Sequence, residues 1–352
     1  MAETMVRSVV VWAMGGIAGL TACGGHSKTT GGVDATDATG ATDASATADA
    51  MPPEALHHGY VVSQMLVPTN NTEAQAYGLD LGSKTSSMPD GTVDNAMGTF
   101  FTAVNAFSLD IQGTVNTAVD QGSILMLLDL QTTNFLDAST ATLAVKLGAN
   151  PVPAACDSAA DTICRHHLNG TAAFSIAPNS PTDALVSGAI VAGTFNGGPG
   201  TLVLQIAIGS TMPIKLDLLH ARVRASSISA NGILTATVGG LVTLDEVFPK
   251  IGPAIQARFQ AILDRDCTPG GTGTPPTCGC KAGSTGATII TAFDGDIPGT
   301  AADCTVTTQE IFSSPAIKTL LQPDSCSLDS CTAADALSLG VKVEAVSATF
   351  PM

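Results

Sequence analysis

Basic residues, aromatic rings and charge of either sign are all scarce in this chain. Its 352 residues carry 14 Lys and Arg against 30 Asp and Glu, a formal net charge of -16. Proteins that neutralise nucleic-acid phosphates need Lys and Arg in excess, so nucleic acid is excluded as a partner. Trp occurs once, as Trp12, and Tyr twice. Platforms that stack glycans or single-stranded bases need exposed Trp or Tyr, which removes those roles too. Charged residues make up only 12% of the chain while 45% is hydrophobic, too apolar for a wholly disordered protein. Long apolar runs are missing after residue 22. None approaches the roughly 20 residues that cross a bilayer as a helix, so a polytopic helical membrane protein is excluded. Catalytic signatures are absent as well: no G-x-S-x-G, Walker, Rossmann or zinc-protease pattern is present. The sequence gives no positive ground for an enzyme, and an unrecognised hydrolase is kept only as the enzymatic alternative.

What is present starts at the N-terminus. Residues 1–22 read as a secretory signal, with Arg7 in a short n-region and an apolar h-region from Val9 to Leu20. The segment ends Leu20-Thr21-Ala22-Cys23-Gly24. This resembles a bacterial lipobox. The resemblance implies that the Cys23 thiol receives a diacylglycerol, that the signal is cut just before it, and that the new amino group is acylated. Each buried methylene contributes about 0.8 kcal/mol, so several chains anchor stably where one does not. Gly24 stands where an Asp tends to retain Gram-negative lipoproteins in the inner membrane. The resemblance therefore implies the outer membrane, with the protein facing the periplasm or the cell surface. Residues 23–55 read as a tether: VDATDATGATDASATADA, from Val33 to Ala50, has one branched aliphatic side chain and cannot bury enough surface to offset backbone ordering.

Setting Cys23 aside, eight of the nine cysteines remain: Cys156, Cys164, Cys267, Cys278, Cys280, Cys304, Cys326 and Cys331. An even number in an exported chain points to disulfides. Proximity in sequence pairs Cys156 with Cys164 and Cys326 with Cys331. Cys267 is expected to pair with Cys278 or Cys280, and the one left over with Cys304, stapling a Gly/Pro-rich insertion at 266–286 that is also a candidate joint. The competing chemistry is zinc, on Cys267, Cys278, Cys280 and Cys304 or on Cys164 with His166 and His167. Against it stand the missing pair of knuckles and a compartment that consumes thiols.

The body, residues 56–352, is dominated by period-two alternation. Leu202, Leu204, Ile206 and Ile208 alternate with Thr201, Val203, Gln205 and Ala207. Between Leu218 and Leu219 the apolar face swaps sides, as a β-bulge or a corner requires. Further strands are expected at 61–67, 124–131, 140–147, 172–177, 185–194, 233–238, 287–293 and 337–349, with a turn at Asn196-Gly197-Gly198-Pro199-Gly200. Helices are expected at Met97–Phe107, at Ile111–Val119 with Gly122 as terminator, from Asp245 onward with interruptions at Pro249 and Pro253, and after Ser314-Pro315. The expected fold is a mainly-β or α+β body: antiparallel sheets forming a sandwich or open barrel, with a few short amphipathic helices.

Candidate ligands are sparse. Asp80, Asp90, Asp94 and Asn95 supply oxygens of the kind calcium takes, in a segment bent by Gly91, but without the Asp-x-Asp spacing of a full loop. A polar turn capping a helix near Ala96 is the competing reading. Asp294 and Asp296 read as a similar turn. His57-His58 and His166-His167 read as exposed loop histidines, with a metal pair as the alternative.

The tether, the segment Asp90-Gly91-x-x-Asp94-Asn95-Ala96-Met97-Gly98, the stretch Leu109-Asp110-Ile111-Gln112-Gly113 and the C-terminal strand Leu337–Phe350 together resemble a group of lipoproteins of myxobacteria and related Gram-negative predators. In that group a fuller Asp-Gly-Asp-Gly loop often precedes the Asp-Asn pair; residues 82–88 here depart from it. The resemblance implies no activity. The expected function is a non-enzymatic structural or binding role in the envelope, on a membrane reached through the lipid anchor. Alternatives are a calcium-supported adhesion module and a carrier of a small apolar ligand. Beyond calcium no cofactor is implied, and a protein partner stays open.

Overall fold

Alternation of apolar and polar side chains builds the molecule around one sheet. The computed structural model describes residues 55–270, 278–294 and 302–352. The signal, Cys23, nearly all of the tether, residues 271–277 of the insertion and Asp296 lie outside these. From β1 (Leu56–Leu66) the chain passes through α1 (Asn71–Ala76), α2 (Ala96–Asn105) and α3 (Ile111–Asp120) into β2 (Met126–Thr132) and β3 (Ala138–Val152). A 3-10 turn at His166–Leu168 precedes β4 (Ala173–Ile176), β5 (Leu185–Val191), β6 (Thr194–Ile206), β7 (Ile214–Ser229) and β8 (Gly232–Thr243). A second helical insertion follows. It holds α4 (Leu244–Asp266), the short strands β9 (Cys267–Pro269) and β10 (Cys278–Cys280), then α5 (Thr285–Phe293), α6 (Thr308–Ser313) and α7 (Pro315–Leu320). Finally β11 (Ala336–Ser347) returns to the sheet.

Strand order is β2-β1-β11-β8-β7-β6-β5-β3-β4, antiparallel throughout, and β2 also pairs with β3. That pairing closes an eight-stranded barrel, with β4 added outside the ring on the far end of β3. Around the ring the strands follow chain order. The mainly-β antiparallel class expected from the sequence therefore holds, and closure removes the sheet edges that an open form would expose. Inside, Val62, Met126, Leu128, Leu143, Leu204 and Val343 are among the side chains around a cavity of only about 10 Å³. Outward positions on β7 and β11 carry Lys215, Asp217, Arg222, Arg224, Lys342 and Glu344. This polarity is opposite to that of a membrane-spanning barrel, whose apolar side faces lipid. No helix among the described residues is long and apolar enough to cross a membrane.

The phase change in β7 is present. Leu216 and Leu218 are buried, then Ala221, Val223 and Ala225; His220 between them has φ +46°, and the register with β8 slips between Leu219 and Arg222. The turn expected at 196–200 is not a turn. Those residues run inside β6, where the register shifts twice; the reversal from β5 lies instead at Ala192 and Gly193, both with positive φ. Glycine is needed in that neighbourhood for close strand approach: a Cβ on Gly188 would lie 1.9 Å from the Asn196 carbonyl oxygen. The strand expected at 287–293 is also corrected. It is α5, nucleated by Ser284, whose side chain accepts the Ala287 N–H, and it turns Gly286, Ile289 and Phe293 inward. Phe293 stacks on Phe259 of α4 with ring centroids 5.1 Å apart, so tertiary packing overrides the β-branched composition.

Helix α4 runs through both prolines. Pro249 and Pro253 lie on its exposed face, away from the buried Val247, Ile251, Ile255 and Phe259. Apolar faces of α2 to α7 share one continuous core with the barrel strands, so the insertion at 266–286 is no joint between separate bodies. The disulfides are Cys156–Cys164, Cys267–Cys280, Cys278–Cys304 and Cys326–Cys331. This chooses among the open pairings and leaves no body thiolate for zinc.

Candidate functional site

Between α1 and α2 the chain makes a strap, residues 77–94, across the outer face of the barrel. It lies close because β11 and β8 offer glycines there. A Cβ on Gly340 would fall 2.3 Å from the Tyr77 carbonyl oxygen, and one on Gly239 would touch Leu79 and Leu81. Leu81, Leu241 and Ala336 form a small outer core with Leu79 and Leu219 against it.

The expected calcium residues all belong to this strap or its end. Asp80 accepts the N–H groups of Asp90 at 2.9 Å and Gly91 at 2.7 Å on its two oxygens. Asp90 accepts from Thr92 N–H, and Asp94 from Leu81 N–H at 3.0 Å. Asn95 is buried. Its Oδ1 accepts from Gly98 and Gly340 N–H, and its Nδ2 donates to the carbonyls of Ala74 and Gly340. Both lone pairs of that oxygen are used, so Asn95 is a helix cap and clamp and has nothing left for a cation. Asp324 joins from the α7–β11 connection, held by the N–H and hydroxyl of Ser338. Burial pushes the Asp94 carboxyl up to about 6, opposed by its bond from Leu81 and reinforced by the charges of Asp324, Asp90 and Asp80. The Asp324 carboxyl is raised as well, chiefly by burial.

Beside the strap lies a pocket of about 280 Å³. Leu79, Asp80 and Pro89 form one wall; Asn196 to Gly198 of β6 and Arg222 to Arg224 of β7 form the other. Neither arginine has a carboxylate in ion-pair range among the described residues. The Arg222 Nε is buried with no hydrogen-bond partner. In sequence both arginines read only as outward strand positions. Nothing local marks them, because the strap that walls the pocket is more than a hundred residues away.

The β3–β4 connection carries the second cluster. Within the loop closed by Cys156–Cys164, Asp161 accepts N–H groups from Asp157, Ile163 and Cys164. These bonds, with that from His166, hold its carboxyl well below the ordinary range. His166 Nε2 lies 3.1 Å from Asp161 Oδ2 and 3.5 Å from Asp157 Oδ2. Arg165 pairs with Asp120 and donates to the Ser63 carbonyl. His167 corrects the exposed-loop reading: it is fully buried against Phe174, with neither ring nitrogen hydrogen-bonded. Burial takes it down to about 4, helped by the charge of Arg165 and opposed by that of Asp120. His57 and His58 are strand residues. His57 faces Asp129 at 3.0 Å, and His58, lowered mainly by burial, tilts over Phe135.

Asp294 accepts the Cys304 N–H at 3.1 Å beside the Cys278–Cys304 link, and burial lifts it to about 6. Open apolar surface lies outside the barrel, where Phe248 and Phe312, rings 4.6 Å apart, border a groove of about 470 Å³. No protein-family model, curated protein or solved structure matches this chain.

Proposed function

We propose that this protein is an outer-membrane lipoprotein anchored through Cys23, whose barrel is a non-enzymatic binding module of the cell envelope. The observation that carries this is the cysteine ledger. All eight body cysteines are engaged in four disulfides, which form and persist in oxidising compartments, and the ninth is the Cys23 of the lipobox-like segment. The resemblance to myxobacterial lipoproteins points the same way. Binding is assigned to the outer surface. The filled interior has no room for even a small lipid, whereas the pocket beside the strap offers two uncommitted guanidiniums to a small anionic group.

Labelled palmitate in the expressing bacterium is expected to enter the parent protein and not Cys23→Ser, with the parent in the outer-membrane fraction. No label, together with free thiols in a cytosolic product, overturns the proposal. For the binding face, phosphate or acetate titrated under NMR observation is expected to shift the Arg222 and Arg224 side-chain signals together with the backbone amides of Asn196 and Gly197, which line the same pocket; side-chain signals that stay put, or amide shifts that persist in Arg222→Gln/Arg224→Gln, remove that assignment.

A further inference from the structure

We infer that Asp157, Asp161 and His166 form a binding site for a divalent transition-metal cation of the zinc or manganese type. Three donor atoms already converge. His166 Nε2 stands 3.1 and 3.5 Å from the two carboxylate oxygens, and all three atoms lie within 4.8 Å of one another. Around a tetrahedral ion with bonds of about 2.0–2.1 Å, neighbouring ligands are about 3.3–3.4 Å apart. The two measured edges bracket that value. The third closes by rotating Asp157, whose side chain is 81% exposed and free to move.

The frame that holds the donors is rigid. Cys156–Cys164 closes the loop, three backbone N–H groups aim the Asp161 carboxylate, and the His166 N–H is tied to the Ala155 carbonyl. Arg165, next to His166 in the chain, is paired with Asp120. One imidazole nitrogen with two carboxylates suits zinc, manganese or cobalt better than calcium, which takes oxygen donors. His57 offers no comparable site, since it faces the single carboxylate of Asp129.

The test is calorimetric titration of the full oxidised chain, stripped of metal, with ZnCl2 and separately MnCl2 at pH 7. The expected result is one ion per chain, weakened at least tenfold in His166→Ala and in Asp157→Asn, and unchanged in His57→Ala/His58→Ala. Because Asp157 is exposed, its variant decides the matter if His166→Ala disturbs the fold. Absence of one-to-one binding below millimolar concentrations overturns the inference. So does binding that survives both loop variants, or that is lost with His57 and His58. Palmitate labelling reads the anchoring proposal separately, so either can fail without the other.

Discussion

Replacing Asn95 separates two readings of the strap. Its amide makes four hydrogen bonds, at 2.9 Å from Gly98 N–H, 2.9 Å from Gly340 N–H, 2.9 Å to Ala74 O and 3.0 Å to Gly340 O. In Asn95→Ala the loss of the cap on α2 costs about 1 kcal/mol. Each buried backbone group left without a partner costs about 1–3 kcal/mol more, less where water can enter. The expected total is about 3–5 kcal/mol, a large share of the roughly 5–15 kcal/mol that holds a typical domain together. Asn95→Asp keeps both accepted bonds but turns a carboxylate toward two carbonyls; it is expected to lose at least as much at neutral pH and to recover partly in acid, where a protonated carboxyl donates again. The assay is urea unfolding with disulfides intact, run in EDTA and again in calcium chloride. A clamp gives the same loss in both. A change below about 1 kcal/mol refutes the clamp, and a loss seen only with calcium restores the cation-ligand reading.

Asp94 has a folded pKa near 6, above its unfolded value, so ionisation is disfavoured by the fold: the penalty is full above pH 6 and is relieved as pH falls toward 4. Asp94→Asn is expected to stabilise by roughly 1–2 kcal/mol at pH 7, after discounting for partial exposure, and to flatten the melting temperature between pH 4 and 6; an unaltered slope counts against it. His167 acts oppositely, since its folded pKa near 4 lies below the unfolded 6.5, so its stability is present above pH 6.5 and lost as pH falls toward 4. His167→Leu is expected to gain about 2 kcal/mol more at pH 5 than at pH 7, and equal effects at the two values refute the buried-neutral account. Gly340→Ala drives a methyl into the Tyr77 carbonyl and is expected to cost about 1–3 kcal/mol in thermal unfolding; a neutral outcome means that the strap is not clamped there.

How much of this was legible in the sequence follows from range. Period-two patterning in β6 and β7, the apolar faces of α2 and α3, the Asn95 cap and the first-turn Pro315 were readable because each signal lies within a few residues. Cys156–Cys164 and Cys326–Cys331 were readable for the same reason. Helix α5 reads as a strand because ATIITAF has strand composition, and only Ser284 and the spacing of Gly286, Ile289 and Phe293 betray the helix. The glycines at 197, 198 and 200 imitate a turn, since a bulged barrel strand and a reversal draw on the same residue types.

The candidate sites were harder to read, for one physical reason. A closed barrel with a filled interior leaves its outer face as the accessible surface, and that face is assembled from connections distant in sequence. Asp80 and Arg222 share a pocket across 142 positions of chain. No composition rule links them; the link is made by two glycines, Gly239 and Gly340, that let the strap lie against β8 and β11. The Asp157, Asp161 and His166 cluster is the opposite case. It spans ten positions, yet Asp161 and His166 converge only because the Cys156–Cys164 bond and the 3-10 turn at His166–Leu168 fold the loop back on itself. Opening that disulfide is therefore expected to weaken zinc binding more than it lowers the melting temperature of the barrel. Cys156→Ser/Cys164→Ser read by both measurements decides the point, and a variant that binds zinc as the parent does shows that the loop needs no staple to gather its donors.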